Sequence, residues 1–334
     1  TAFGRTNTAS SQYSTVSGGQ SNTASTGTHA TVVGGSGNAA SGVYSVCGGQ
    51  TNTASGAISI ALGTNNTTAG SVGVSIGANN SSSAGSVATC IGNANISRGD
   101  TSMAIGRNND ISGYVSVGLG GFNTVSGDSS LAIGSYNLIT GSGIACGNTT
   151  TIISPNSGNT FGLRSLSYLY SQSSIGSGIF GVNNGEAQQS LLTARSQAAL
   201  TTAATTVLSL DGTGVTNLII PNGNNRAWNV QVNWVSVVTA ITGTATGISV
   251  GDVVTSVDLL AFKKIGGVSS ASAHTSAATK TMVTTPAAYA ACAIAYTAGA
   301  SQEMALTFTG PTFVDGGSVT MRVVARIELA EVAF

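Results

Sequence analysis

The sequence predicts an all-β chain in two parts: a β-solenoid over 1–147 and a C-terminal antiparallel β-sandwich or jelly roll over 186–334, with a neck at 148–185. Three observations predict it. Ten asparagines, Asn7, Asn22, Asn38, Asn52, Asn66, Asn80, Asn95, Asn109, Asn123 and Asn137, recur at steps of 14 to 16 residues. Each stands three residues after a glycine, from Gly4 to Gly134. From about 186 this period gives way to longer runs that alternate apolar and polar residues. A unit of fourteen or so residues repeated in tandem is one coil stacked on the last, whereas period-two alternation marks strands of a half-buried sheet.

At 334 residues the chain has room for two domains. Its 46 glycines and 7% charged residues would suit a disordered linker. Fixed spacing argues otherwise, because a disordered segment has no register to keep. Net charge is zero, and residues 1–150 carry Arg5, Arg98 and Arg107 against Asp100, Asp110 and Asp128. Nucleic-acid binding needs clustered cations and is not expected. No apolar run reaches the roughly 18 residues of a spanning helix, so membrane insertion is not expected either. The chain opens at Thr1 with neither methionine nor leader, which reads as a fragment or processed product lacking an upstream anchor. Cys47, Cys90, Cys146 and Cys292 stand among small and apolar residues and read as buried thiols, not a disulfide framework.

With the anchor glycine as zero, position −3 holds Val46, Ile60, Val74, Met103, Val117 and Leu131. Position −1 holds Leu62, Ile76, Ile91, Ile105, Leu119 and Ile133, and the residue between is small, as in Cys47, Ala61, Ser75 and Ala104. That alternation is a strand with two unlike faces. The large side chains are expected to fill the coil, and the small face to point outward and let rods pack side by side. A second glycine follows seven residues after the anchor, at Gly42, Gly56, Gly70, Gly99, Gly113, Gly127 and Gly141. It is expected to form the second corner through positive φ. An asparagine amide has donors and an acceptor, so the ten are expected to form a structural ladder from coil to coil.

Segments SIALGTNNTTAG (59–70), SMAIGRNNDISG (102–113) and SLAIGSYNLITG (130–141) resemble the head repeat of trimeric autotransporter adhesins, a YadA-like unit found also in phage tail fibres. The resemblance spans 1–147 and implies a left-handed parallel β-roll in which three chains associate. Three early copies depart from it with the pairs Gly18-Gly19, Gly34-Gly35 and Gly48-Gly49, and their interior is expected to be less well filled.

Over 148–185 the period fades; FGLRS (161–165) and IFGVNNG (179–185) read as degenerate coils, and Pro155 as a junction. Further on, AWNVQVNWV (227–235) places Trp228, Val230, Val232 and Trp234 opposite Asn229, Gln231 and Asn233. In 319–334, Met321, Val323, Ala325, Ile327 and Leu329 share a side opposite Arg322, Arg326 and Glu328. About eight strands with polar turns suit a sandwich. EAQQSLLTAR (186–195), TVLSLDG (206–212), LIIPNGNNRAWNVQV (218–232) and RVVARIELAEV (322–332) resemble a C-terminal module of phage and prophage tail-fibre proteins. The stretch 265–284 reads as a long loop.

No catalytic site, metal site or cofactor is expected. Asp110 and Asp128 occupy different columns of the repeat, so stacking does not pair them for acid–base work. Asp252, Asp258, Glu303 and Asp315 read as turn or surface acids. His29 and His274 lack metal-ligand spacing. Trp228 and Trp234 share an apolar face and read as core; exposed loop groups at Asn224, Asn225, His274 and Tyr289 are the better candidates for touching carbohydrate. The two resemblances together imply a non-enzymatic, homotrimeric phage tail fibre, located in the virion, that attaches to a bacterial host. Its partners would be its own copies, other tail or baseplate proteins, and a bacterial surface glycan or outer-membrane protein. The alternatives are a trimeric adhesin head on a bacterial surface and a depolymerase tailspike.

Overall fold

The computed structural model describes residues 1–83, 87–153, 158–167, 169, 172–178, 187–213, 226–265, 268–273, 281–282, 287–298 and 304–333. They fall into two units: Thr1–Pro155 with Thr160–Gly162, and Asn156–Asn159 with Leu163–Phe334.

In the first unit each coil is a long strand, a corner, a two-residue strand and a second corner. Long strands such as Ile60–Thr64, Val74–Ala78 and Ala88–Asn93 pair in parallel. Short ones such as Thr67–Thr68, Ser81–Ser82 and Ile96–Ser97 form a second parallel sheet, and eleven are described from Thr8–Ala9 to Thr151–Ile152. Register holds from coil to coil: Gly49 faces Gly63, Gly63 faces Gly77, Gly77 faces Gly92, and Gly134 faces Gly147. The chain is thus a parallel β-solenoid. At Gly106 the reason for glycine is double: φ is +120°, and a Cβ would run into the carbonyl oxygen of Gly120 one coil on.

The second corner departs from expectation. Gly42, Gly56, Gly99, Gly113 and Gly127 do not adopt positive φ; the left-handed position two residues later is taken by Tyr44, Thr101, Val115 and Ser129. Glycine is needed there for stacking, because a Cβ on Gly113 would strike the carbonyl oxygen of Gly127.

The faces of the long strand are also the reverse of the expected ones. Small residues point inward: Cys47, Ala61, Ser75, Cys90, Ala104 and Ala132 are fully buried. Large ones point out, with Ile76, Ile91, Met103 and Ile133 between 37% and 41% exposed. Space decides this. Each coil is closed by two small inward residues at and just before the long strand, such as Ser59 with Ala61 or Ser102 with Ala104, the buried asparagine, and one residue of the short strand such as Ala54, Ser82, Ile111 or Ile139. Where the short strand brings Ile111, the following long strand answers with Gly118, whose Cβ would collide with Ile111 Cδ1. Nor is the coil carrying Gly34-Gly35 underfilled: a register shift between Val32 and Gly35 aligns Val32 with Cys47, and Val16 and Val32 are fully buried.

Corner geometry persists where the period was expected to fade. Gly158–Leu163 is a strand, and Gly162 and Arg164 have φ of +90° and +54°, resembling Gly134 and Tyr136 at +115° and +57°. The expected junction at Pro155, the fragment 179–185, residues 218–225 and most of 265–284 lie outside the described residues.

In the second unit one large antiparallel sheet runs in the order Ser173–Gly178, Ala187–Leu200, Ser318–Ala333, Arg226–Thr242, Val253–Ile265. Val268–Ala273 and Thr281–Met282 both pair with its last strand. A smaller sheet joins Thr205–Leu208, Met304–Thr309 and Ala293–Ala298, also antiparallel. Val230, Val232, Trp234 and Ile327 of the first meet Leu208, Leu306 and Phe308 of the second in one core. The Trp234 ring stands 5.6 Å from Phe308, edge to face.

Candidate functional site

The asparagine column is consumed by the backbone. Asn95 donates from its main-chain N (3.0 Å) and its Nδ2 (3.1 Å) to Asn80 Oδ1. The same Nδ2 donates to Ile91 O (3.0 Å) and Gly106 O (2.8 Å). Its Oδ1 in turn accepts from the main-chain N and Nδ2 of Asn109, at 3.1 and 2.9 Å. The pattern repeats to Asn137, whose Oδ1 accepts from the N and Oγ1 of Thr150, at 3.1 and 2.7 Å. Asn22 to Asn137 are buried, so no face of the column is open to a ligand.

The outward columns are open. Leu62, Ile76, Ile91, Ile105, Leu119 and Ile133 lie side by side in register. Two residues earlier a second column holds Val46, Ile60, Val74, Thr89, Met103, Val117, Leu131 and Ile144. Neither contains a charged residue. A continuous apolar surface of this kind marks an interaction face.

Other groups of the solenoid are structural. Asp110 takes a bidentate pair from Arg98 at 2.9 and 2.8 Å, and Asp128 Oδ1 accepts from Tyr114 N at 2.8 Å. His29 is stacked between Tyr13 and Tyr44 with centroids 4.8 Å away on each side. Phe122 and Tyr136 stack at 4.7 Å, with Arg107 over Phe122. These rings cover one another. Sequence reasoning missed the stacks, although Phe122 and Tyr136 share the offset of two from their anchor glycines.

In the second unit Trp228 and Trp234 are 2% and 3% exposed and belong to the core. Tyr289, expected on an exposed loop, is fully buried: it closes the short 3₁₀ turn Ala287–Tyr289 and donates its hydroxyl to Asp252 Oδ2 at 2.6 Å. Asp252 also accepts from Ser249 N at 2.7 Å. Burial first, then the Asp252 carboxylate, pushes the Tyr289 phenol far above its ordinary pKa. Asp258 accepts from Ser256 Oγ at 3.0 Å, from Trp234 Nε1 at 3.2 Å, and from the Tyr296 hydroxyl, whose pKa is raised for the same reasons. Both carboxylates are acceptors that fasten the packing. Exposed Asp315 is held below the usual carboxylate range by hydrogen bonds from Thr246. Arg226 pairs with Glu331 in a buried position, where burial still raises the Glu331 carboxyl. Asn224, Asn225, His274 and Glu303 lie outside the described residues.

The outward face of the large sheet carries two adjoining grooves. One, of about 420 Å³, is lined by Asn233, Val235, Thr255, Val257, Val324 and Arg326. The other, of about 240 Å³, is lined by Arg195, Gln197, Gly212, Arg322 and Val324. Sequence reading placed Arg322 and Arg326 on the polar side but did not bring Arg195 to them; the pairing of their strands does.

No known protein family and no curated protein matches the chain. Among solved structures, the tailspike protein of Acinetobacter baumannii phage AM24 is 10% identical, with 92% of this chain and 68% of that one covered at a TM-score of 0.28. The tailspike of Acinetobacter phage vB_ApiP_P1 is 11% identical, with 95% and 71% covered at 0.24. Tailspike gp49 of A. baumannii bacteriophage Fri1, a capsular polysaccharide depolymerase, is 9% identical, with 96% and 69% covered at 0.20. At this level of likeness, function has to be argued from the chain's own residues.

Proposed function

We propose that this chain is a non-enzymatic structural and receptor-binding protein of a phage tail, carried in the virion as a homotrimer and attaching it to a bacterial surface glycan or outer-membrane protein. The observation that carries the reading is the pair of outward apolar columns. A solenoid that closes its own interior with small residues and amides does not need them for its core. They suit close packing against other copies, and three copies bring all their columns around one axis. A fibre has to be stiff, and parallel pairing in every coil gives stiffness without a large globular core. The absence of enzymatic work is supported by the engagement of Asp110, Asp128, Asp252 and Asp258 in structural bonds.

The test is mass in solution followed by attachment to intact bacteria. The expected outcome is three chain masses and retention on host cells, with the length of host capsule polysaccharide unchanged after incubation. A folded monomer overturns the trimer, and shortened polysaccharide overturns the non-enzymatic assignment.

A further inference from the structure

We propose that the outward face of the large C-terminal sheet binds an acidic sugar, its carboxylate held between Arg195 and Arg322; this rests on the reading of the chain as an attachment protein.

The chain has 11 cationic residues among 334. Arg98, Arg226 and Arg326 have carboxylate partners in Asp110, Glu331 and Glu328. Arg195 and Arg322 have none among the described residues. Arg195 Nη2 donates to the main-chain carbonyl of Asp211 at 3.1 Å, and Arg322 Nε donates to Gln197 Oε1 at 2.8 Å. Strand register places Arg195 opposite Val324 and Gln197 opposite Arg322. The two arginines are therefore diagonal neighbours on one face, about 7–8 Å apart along the backbone, close enough to repel. An anion between them removes the repulsion and is met by two planar donor forks.

The groove is shaped around this pair. Gly212 has φ of +81°, and a Cβ there would come within 2.6 Å of Arg195 Nε, so the guanidinium lies directly against the main chain. Gln197 fixes Arg322 through Nε and leaves its two terminal nitrogens to the groove. Half-exposed Val324 borders both grooves, with Val235 and Val257 beyond it. Apolar side chains beside an anion site suit a ring whose C–H face is apolar and whose edge is charged. The smaller groove, at about 240 Å³, is of the size of a single sugar ring, and the adjoining 420 Å³ gives room for the next unit of a polymer. A sheet face with two unpaired guanidiniums, rather than a broad basic field, fits a glycan with one acid per repeat and not nucleic acid.

The experiment is calorimetric titration of the intact protein with a defined oligogalacturonate and with the same oligosaccharide after its carboxyls are reduced to alcohols. Binding of the acidic form only is expected, with affinity reduced about tenfold by Arg195→Ala or Arg322→Ala, the scale of one charge-assisted contact. Arg98→Ala, which removes a solenoid arginine already paired with Asp110 and lining neither groove, leaves it unchanged. Circular dichroism establishes that each variant is folded. Equal affinity for the reduced oligosaccharide, no binding of either form, or unchanged binding by the double variant overturns the proposal. Attachment to host cells separates it from the broader reading: if the double variant attaches as the parent does, this groove is wrong and attachment stands; if the parent attaches to no cell, attachment itself is wrong.

Discussion

Asn95 shows how much one side chain of the ladder holds. Asn95→Ala removes the donors to Ile91 O and Gly106 O and the acceptor for two groups of Asn109. At about 1 kcal/mol net for each of these four hydrogen bonds, the expected loss is about 4 kcal/mol. Asn95→Asp costs more, since a carboxylate would face three oxygens where an amide donated. Thermal unfolding of the two variants checks both the size and the order. Gly113→Ala is a second residue-scale test: φ there is not positive, so any loss comes from close contact, with the Gly127 carbonyl first and Ser116 Oγ second. It should destabilise the solenoid as Gly106→Ala does, and denaturant melts that leave Gly113→Ala unchanged would refute the steric account. Burial pushes the Cys90 thiol up to about 12 and Cys47 to about 11, so neither should react with a maleimide at neutral pH in the folded protein. The asparagine positions were readable because a column of identical amides has one economical use. The role of the second glycine was not, because positive φ and close approach select the same residue.

At the level of strands and sheets, period-two alternation was read in both units but its sense was read correctly in only one. Alternation says that two faces differ; the space behind each face says which is inside. Behind the Trp228–Trp234 face lies a second sheet, and large side chains fit. Behind the long strand of a coil lie only a buried amide and one short-strand residue, and large side chains are turned out. The outward column makes a direct prediction: Ile91→Lys with Ile105→Lys should leave the coils folded yet lower the solution mass from three chains to one, read by light scattering. The sandwich makes another. Tyr289 and Tyr296 keep their protons in the fold well above the usual phenol range. Above about pH 10 the unfolded chain releases those protons and binds fewer than the fold, so stability falls as pH rises, by up to about 1.4 kcal/mol per unit for each tyrosine. Denaturant titrations from neutral to alkaline pH should show this decline, flattened in Tyr289→Phe.

For the molecule as a whole, a chain with 7% charged residues cannot rely on ion pairs for assembly. Association through Ile76, Ile91, Met103 and their neighbours should survive about 1 M salt, while a contact through Arg195 and Arg322 should be lost there. Ultracentrifugation and glycan titration across the salt series read the two separately. The fold of both units was accessible from repeat and alternation, which depend on neighbours in sequence. The Arg195–Arg322 groove was not, because it depends on which strands lie side by side, and residues 195 and 322 are brought together only by the pairing of Ala187–Leu200 with Ser318–Ala333.

At every asparagine Oδ1 from Asn7 to Asn137 the bond points the same way: the later loop gives the hydrogen and the earlier side-chain oxygen receives it. A protein leaving the ribosome amino end first therefore always exposes a finished receiver to the loop still emerging. Cutting back from the carboxyl side would uncover that oxygen together with the amide and main-chain N–H groups that had donated onward to the removed loop.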